Sequence, residues 1–171
     1  MLLYKEEQYI MKNLDFLTKI KHEKKLELVE LSEQLSKSYT EKSRNCLLSA
    51  KLLFNANLYE NSIGEAYYSM YNAVQSLFFM CGIKCENHSA AALILKKLFM
   101  LDKIYLIFSS AKEERIDKQY YTSSTQTKPV TKESAESLIH IAEKFILDIN
   151  HYKTALKLED IDNIRKRFEK L

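Results

Sequence analysis

Leu58-Tyr59-Glu60-Asn61-Ser62-Ile63-Gly64-Glu65-Ala66-Tyr67-Tyr68-Ser69-Met70-Tyr71-Asn72-Ala73-Val74-Gln75-Ser76-Leu77-Phe78-Phe79-Met80 is the stretch that decides the fold. No proline interrupts it, and most of its positions are apolar or aromatic, which predicts one long buried helix over 58–80. Gly82 follows as its C-terminal cap. A helix apolar on most sides needs other elements packed around it, so it belongs at the centre of a bundle. Its polar residues Asn61, Glu65, Ser69, Asn72 and Ser76 recur at helical spacing and so share one face. That face meets either solvent, a partner or a cleft, because an unpaired buried polar group is costly.

Upstream, the pattern predicts a helix over 38–54 with Cys46, Leu47, Ala50, Leu53 and Phe54 inward, broken by Asn55-Ala56-Asn57. Residues 1–36 are charge-rich, with Leu14, Leu17 and Ile20, then Leu28, Leu31 and Leu35, at helical spacing. The basic block at 19–25 separates two helical pieces and reads as a solvated face. Downstream, Asn87 caps a short helix over 90–101, and a further helix over 103–120 turns Ile104, Ile107, Phe108 and Ala111 inward. A polar loop occupies 122–130. Thr131 then caps a long helix with the inward stripe Leu138, Ile141, Ala142, Phe145, Ile149 and Tyr152, and a charged helix over 159–171 ends the chain.

Short links between helices favour antiparallel neighbours. The expected fold is all-α: an up-down helical bundle of four to five core helices with extra N-terminal helices. The expected division is an N-terminal helical extension over 1–36, a bundle over 37–156 and a C-terminal charged helix over 157–171.

Composition agrees. Two glycines and one proline in 171 residues are too few for the turns of a sheet protein, and they exclude a glycine-rich phosphate loop. The net charge of +3 is too small to mark strong non-specific nucleic-acid binding, and it does not exclude an RNA partner. No apolar run reaches the roughly 18 residues of a spanning helix, so no membrane association is expected. The first residues turn acidic too early for a signal peptide, and the three cysteines fit a reducing compartment. The expected location is the cytoplasm. Cys81, Cys85 and His88 lack a fourth ligand and a recognised zinc spacing, so no metal site and no cofactor are expected; buried cysteines at a helix end are the simpler reading.

Two features remain as candidate sites. One is the polar face of the central helix. The other is Arg115, which continues the line Ile104, Phe108, Ala111 and so lays its stem on the bundle with its guanidinium at a cleft or interface. The simpler alternative is an ion pair with Glu65 or Asp117. Tyr120 and Tyr121 follow Arg115, and joint action with it requires the helix to end or bend there.

Leu58-Tyr59-Glu60-Asn61-Ser62, Ala66-Tyr67-Tyr68-Ser69-Met70-Tyr71-Asn72-Ala73, Cys81-Gly82-Ile83-Lys84 and His88-Ser89, in that order, resemble the HEPN family. Arg115 with Tyr120, and Val130-Thr131-Lys132-Glu133-Ser134-Ala135-Glu136, resemble later landmarks of the same family. The resemblance covers about 38–152. It implies a helical bundle that pairs into a homodimer. In many relatives the cleft between subunits holds a metal-independent ribonuclease built on an arginine followed within a few residues by a histidine. Such proteins serve as toxins or RNA-processing factors, and many are paired with a minimal nucleotidyltransferase that attaches AMP to a tyrosine near the motif.

The sequence departs from that pattern. No histidine follows Arg115 in the window Tyr120-Tyr121-Thr122. A tyrosine of pKa about 10 is roughly 0.1% ionised at pH 7, a poor general base. Glu65 stands where relatives often carry arginine, and Asn72 where many carry histidine. Thr122 takes the usual place of the AMP-accepting tyrosine, leaving Tyr120 or Tyr121 as shifted candidates. The resemblance therefore implies a toxin-like ribonuclease of a HEPN/nucleotidyltransferase pair acting on RNA, tRNA among the candidates. Arg115, Tyr120 and Tyr121 would act at the phosphate, with Glu65, Ser69 and Asn72 lining the cleft. The alternative is a non-catalytic module that binds a nucleotide or the partner, favoured by the missing histidine; a purely structural adaptor is a third reading.

Overall fold

The computed structural model describes the backbone of residues 2–120 and 130–171, and the side chains of 12–115 and 130–171. The elements run α1 (Leu2–His22), β1 (Leu26–Leu28), α2 (Glu33–Asn55), α3 (Tyr59–Met80), β2 (Ile83–Cys85), α4 (His88–Lys97), α5 (Asp102–Tyr120), α6 (Lys132–Ala155) and α7 (Leu158–Glu169). The all-α expectation holds. The loop expected over 122–130 lies, apart from Val130, outside the described residues.

As its composition requires, α3 is the central helix, packed on α2, α6 and α5. Ile63, Ala66, Tyr67, Met70, Val74, Leu77 and Phe78 are wholly buried. Its polar face is exposed at Asn61 and half-buried at Glu65 and Asn72, whereas Ser69 and Ser76 are buried, with α2 packed against them. Ser43 donates to the Ser69 carbonyl at 2.7 Å, Ser62 to the Ala50 carbonyl at 2.8 Å, and Ser69 to the Ala66 carbonyl at 2.6 Å. Small side chains let the two backbones approach, and each buried hydroxyl finds a carbonyl.

The caps form as the sequence predicts. Asn87 Oδ1 accepts from Ala90 N at 2.9 Å, while Thr131 and Ser134 satisfy each other's backbone N–H at 3.1 Å. Helix α2 begins earlier than expected, capped by Ser32, whose Oγ accepts from Leu35 N at 3.2 Å. Asn57 takes the left-handed conformation (φ 61°) in the break before α3, a conformation that asparagine tolerates.

The second N-terminal helix is not formed. Leu26–Leu28 is instead a strand, antiparallel to Ile83–Cys85 with Leu26 opposite Cys85 and Leu28 opposite Ile83. Alternation explains the choice: Leu26, Ile83 and Cys85 point into the core, while Glu27 and Lys84 face each other outside at 3.5 Å. Leu31 and Leu35, which fall at helical spacing with Leu28, are 49% and 43% exposed.

The two ends of the chain close over this ribbon. Helix α7 buries Ile161, Ile164 and Phe168, and Lys21 of α1 stands 5.0 Å above the Phe168 ring. Arg165 Nη1 donates to the carbonyls of Val29, Cys81 and Gly82 at 3.0, 3.1 and 3.1 Å, tying α7 to the ribbon. On α6, Ile141 was expected inward but is 39% exposed; Ile139 and Ile146 are buried instead.

Candidate functional site around Arg115

Three elements converge at Arg115. The spacing of α3 places Tyr67 and Tyr71 on one face, with Tyr68 beside them. The first turn of α4, fixed by the Asn87 cap, carries His88 and Ser89. Helix α5 brings Lys112 and Arg115, one turn apart.

The Arg115 guanidinium lies over the rings of Tyr68 and Tyr67, 4.8 and 5.5 Å from their centroids, and Nη2 donates to the Tyr68 hydroxyl at 2.9 Å. The expected alternative of an ion pair with Glu65 is not formed, and the side chain of Asp117, the other expected partner, lies outside the described residues. Arg115 Nε is buried and finds no acceptor among the described residues. Beside it, the Tyr67 hydroxyl and His88 Nδ1 share a hydrogen bond of 2.6 Å, whose donor is set by the His88 tautomer. The imidazole stacks on Tyr71 at 3.9 Å, and Lys112 Nζ donates to Ser89 Oγ at 3.0 Å. Burial, then Arg115 and Lys112, hold the His88 pKa down at about 4, so the ring is neutral at pH 7. Burial raises the Tyr67 pKa above its ordinary value, so this phenol keeps its proton.

Two cations and an uncharged imidazole within one cluster suit an anion, above all a phosphate that takes hydrogen bonds from Arg115. Nothing in the sequence links His88, at the start of α4, to Arg115 on α5. Their proximity arises only when α4 packs against α5.

The other predicted residues fall elsewhere. Ser69 is wholly buried in the α2–α3 seam, so within one protomer it lines no open cleft. Asn72 Nδ2 donates to the Tyr68 carbonyl at 2.8 Å and reaches Cys46 Sγ at 3.5 Å. Glu65 also faces Cys46, whose thiol is pushed up to about 11 by burial and then by this carboxylate. These three residues border α2, whereas Arg115 meets α3 through Tyr67 and Tyr68. The backbone of α5 reaches Tyr120, but the Tyr120 side chain and all of Tyr121 lie outside the described residues.

Among the described residues no group of three or more His, Cys, Asp or Glu is placed to hold a metal ion. Burial pushes both Cys81 and Cys85 up to about 12, which keeps them as neutral thiols. Nor is any described helix long and apolar enough to cross a membrane.

The HEPN domain family matches residues 36–152 of this bundle, and the chain belongs to that family. A protein of Methanocaldococcus jannaschii named "Putative toxin MJ0605" is 28% identical over 113 residues, 65% of this chain and 81% of that protein.

Proposed function

We propose that this HEPN protein is a toxin-like, metal-independent endoribonuclease, in which Arg115 holds the scissile phosphate. The observation that carries the reading is the Arg115 guanidinium, stacked on two tyrosines beside Lys112 and a neutral His88. At pKa about 4 the imidazole is a weak base. A phosphate bound at Arg115 and Lys112 would offset the two cations that depress it, raising its basicity as substrate arrives. His88 would then accept the proton that the sequence motif lacks a histidine to take. Tyr120 and Tyr121 remain proposed assistants, and one of them the proposed target of a nucleotidyltransferase partner. The toxin name of the archaeal relative supports this class of role.

The reading includes a homodimer in the cytoplasm, with RNA as substrate. A groove of about 330 Å³ between α5 and α6, lined by Ile107, Ala111, Leu138, Ile141 and Phe145, runs beside Glu114, next to Arg115. The second copy is proposed to seat there. We further divide the chain into the extension 1–36, the bundle 37–156 and the helix 157–171.

A non-catalytic binding module is the second reading, favoured by the bond that already occupies Arg115 Nη2. Incubating the full chain with tRNA and total RNA in chelator separates the two. Cleavage supports the nuclease, whereas saturable RNA or nucleotide binding without cleavage supports the module.

A further inference from the structure

Away from Arg115, the last turn of α6 sets a lysine against the seam of α2 and α3. Lys153 Nζ donates to Thr40 Oγ1 at 2.8 Å and to Ser76 Oγ at 2.6 Å. Ser76 and Ser36 are 1% and 5% exposed, and their hydroxyls lie 3.3 Å apart. Ser76 Oγ also lies 2.7 Å from Thr40 Oγ1, and Thr40 sends its own proton to the Ser36 carbonyl at 3.0 Å. These bonds use two of the three protons of the ammonium group. The third has no acceptor among the described residues, and no carboxylate there pairs with Lys153.

This lysine opens on a cleft of about 520 Å³. Lys37, Arg44 and Met80 also line it, as do Glu33 and Glu41. Glu33 is held by Lys37 at 2.7 Å, and that pair cancels. Arg44 and Lys153 then face Glu41 alone, leaving the wall positive. Burial, then Arg44, holds the Lys153 pKa below that of an ordinary lysine. The dipole of α6 favours a cation in its last turn but supplies no ionic partner. A half-buried cation with no carboxylate in ion-pair contact among the described residues is a costly arrangement, and an anion in the cleft relieves it.

We propose that this cleft is a second binding site, separate from Arg115, that takes a phosphate monoester. Its oxygens accept from the uncommitted N–H of Lys153 and from the Arg44 fork, whose planar donors match phosphate. The cleft exceeds the needs of a bare ion, and its volume falls in the range of small-molecule sites, so there is room for the organic part of the ester.

The test is an NMR titration of the full chain with AMP, with inorganic phosphate and adenosine as separate arms. Saturable shifts are expected around Ser36–Arg44, Ser76–Met80 and Lys153 with AMP and, more weakly, with phosphate. Adenosine alone should produce none. Lys153→Met and Arg44→Gln should each weaken AMP binding about tenfold or more, while Arg115→Ala leaves these shifts in place. Arg44 is exposed, so its variant keeps the fold. A lysine that merely seals a hydroxyl network predicts no saturable shift. That result, equal response to adenosine, or binding untouched by both Lys153→Met and Arg44→Gln would overturn the proposal.

Discussion

The Tyr67 hydroxyl and Nδ1 of His88 stand 2.6 Å apart, and the Arg115 guanidinium covers the Tyr67 ring. The hydrogen bond fixes the imidazole, and burial, reinforced by the neighbouring cation, keeps it uncharged. Burial is the largest cause of the low His88 pKa, followed by Arg115 and then Lys112. Arg115→Met should therefore raise that pKa from about 4 part of the way toward 6.5, and Lys112→Met should raise it less. Histidine ring shifts followed by NMR against pH measure both. An unchanged value in the Arg115 variant would separate the two side chains electrostatically.

Stability should fall on acidification through the same group. An unfolded chain protonates this histidine near 6.5, whereas the folded chain resists until about 4. Between those values the unfolded state binds more protons, so acid favours unfolding. With His88 half-buried, and the shift discounted for solvent screening, the loss is on the order of 1–2 kcal/mol from pH 7 to pH 4. Urea melts of the wild type and of His88→Gln should diverge over that range, with the variant losing less. Parallel curves would contradict this account of the imidazole.

Gly82 should tolerate no side chain. It sits at φ +66°, and a Cβ there would run into the Arg165 guanidinium and the Val29 carbonyl. Gly82→Ala must strain the backbone and displace Arg165 from the three carbonyls it holds. A cost of about 2–4 kcal/mol is expected in chemical denaturation. A loss below about 0.5 kcal/mol would show that the α7 clamp contributes little.

Ile141 bears on the proposed dimer. It is 39% exposed on the groove between α5 and α6. Ile141→Asp should convert the dimer to monomer in light scattering with its helical circular dichroism intact. A wild-type chain that is already monomeric would overturn the dimer, and a variant that stays dimeric would move the interface elsewhere.

Much of the fold was legible because long helices announce themselves by period. Helix α3 and the Asn87 and Thr131 caps follow from residue type and spacing alone. The ribbon did not, since three-residue strands are too short for alternation to stand out. Leu28, Leu31 and Leu35 happened to fall at helical spacing, which hid β1. The serine face of α3 carried a polar signal, but spacing cannot tell a cleft from a close seam between helices; Ser43 and Ser62 decide it for the seam. Arg115 was visible as a cation on an apolar line. His88 was not tied to it, because that pairing depends on how α4 meets α5.

The central claim is that Arg115 serves RNA cleavage, and the most direct measurement is the single-turnover rate of tRNA cleavage in chelator. Wild type, Arg115→Ala and Arg115→Lys would be compared, with folding of each checked by circular dichroism. The account predicts metal-independent cleavage by the wild type. It predicts a fall of about 10²-fold or more in Arg115→Ala, only partly recovered by lysine, which keeps the charge but loses the planar fork. Cleavage unchanged by Arg115→Ala, or no cleavage by a well-folded wild type with unmodified tyrosines, would contradict it.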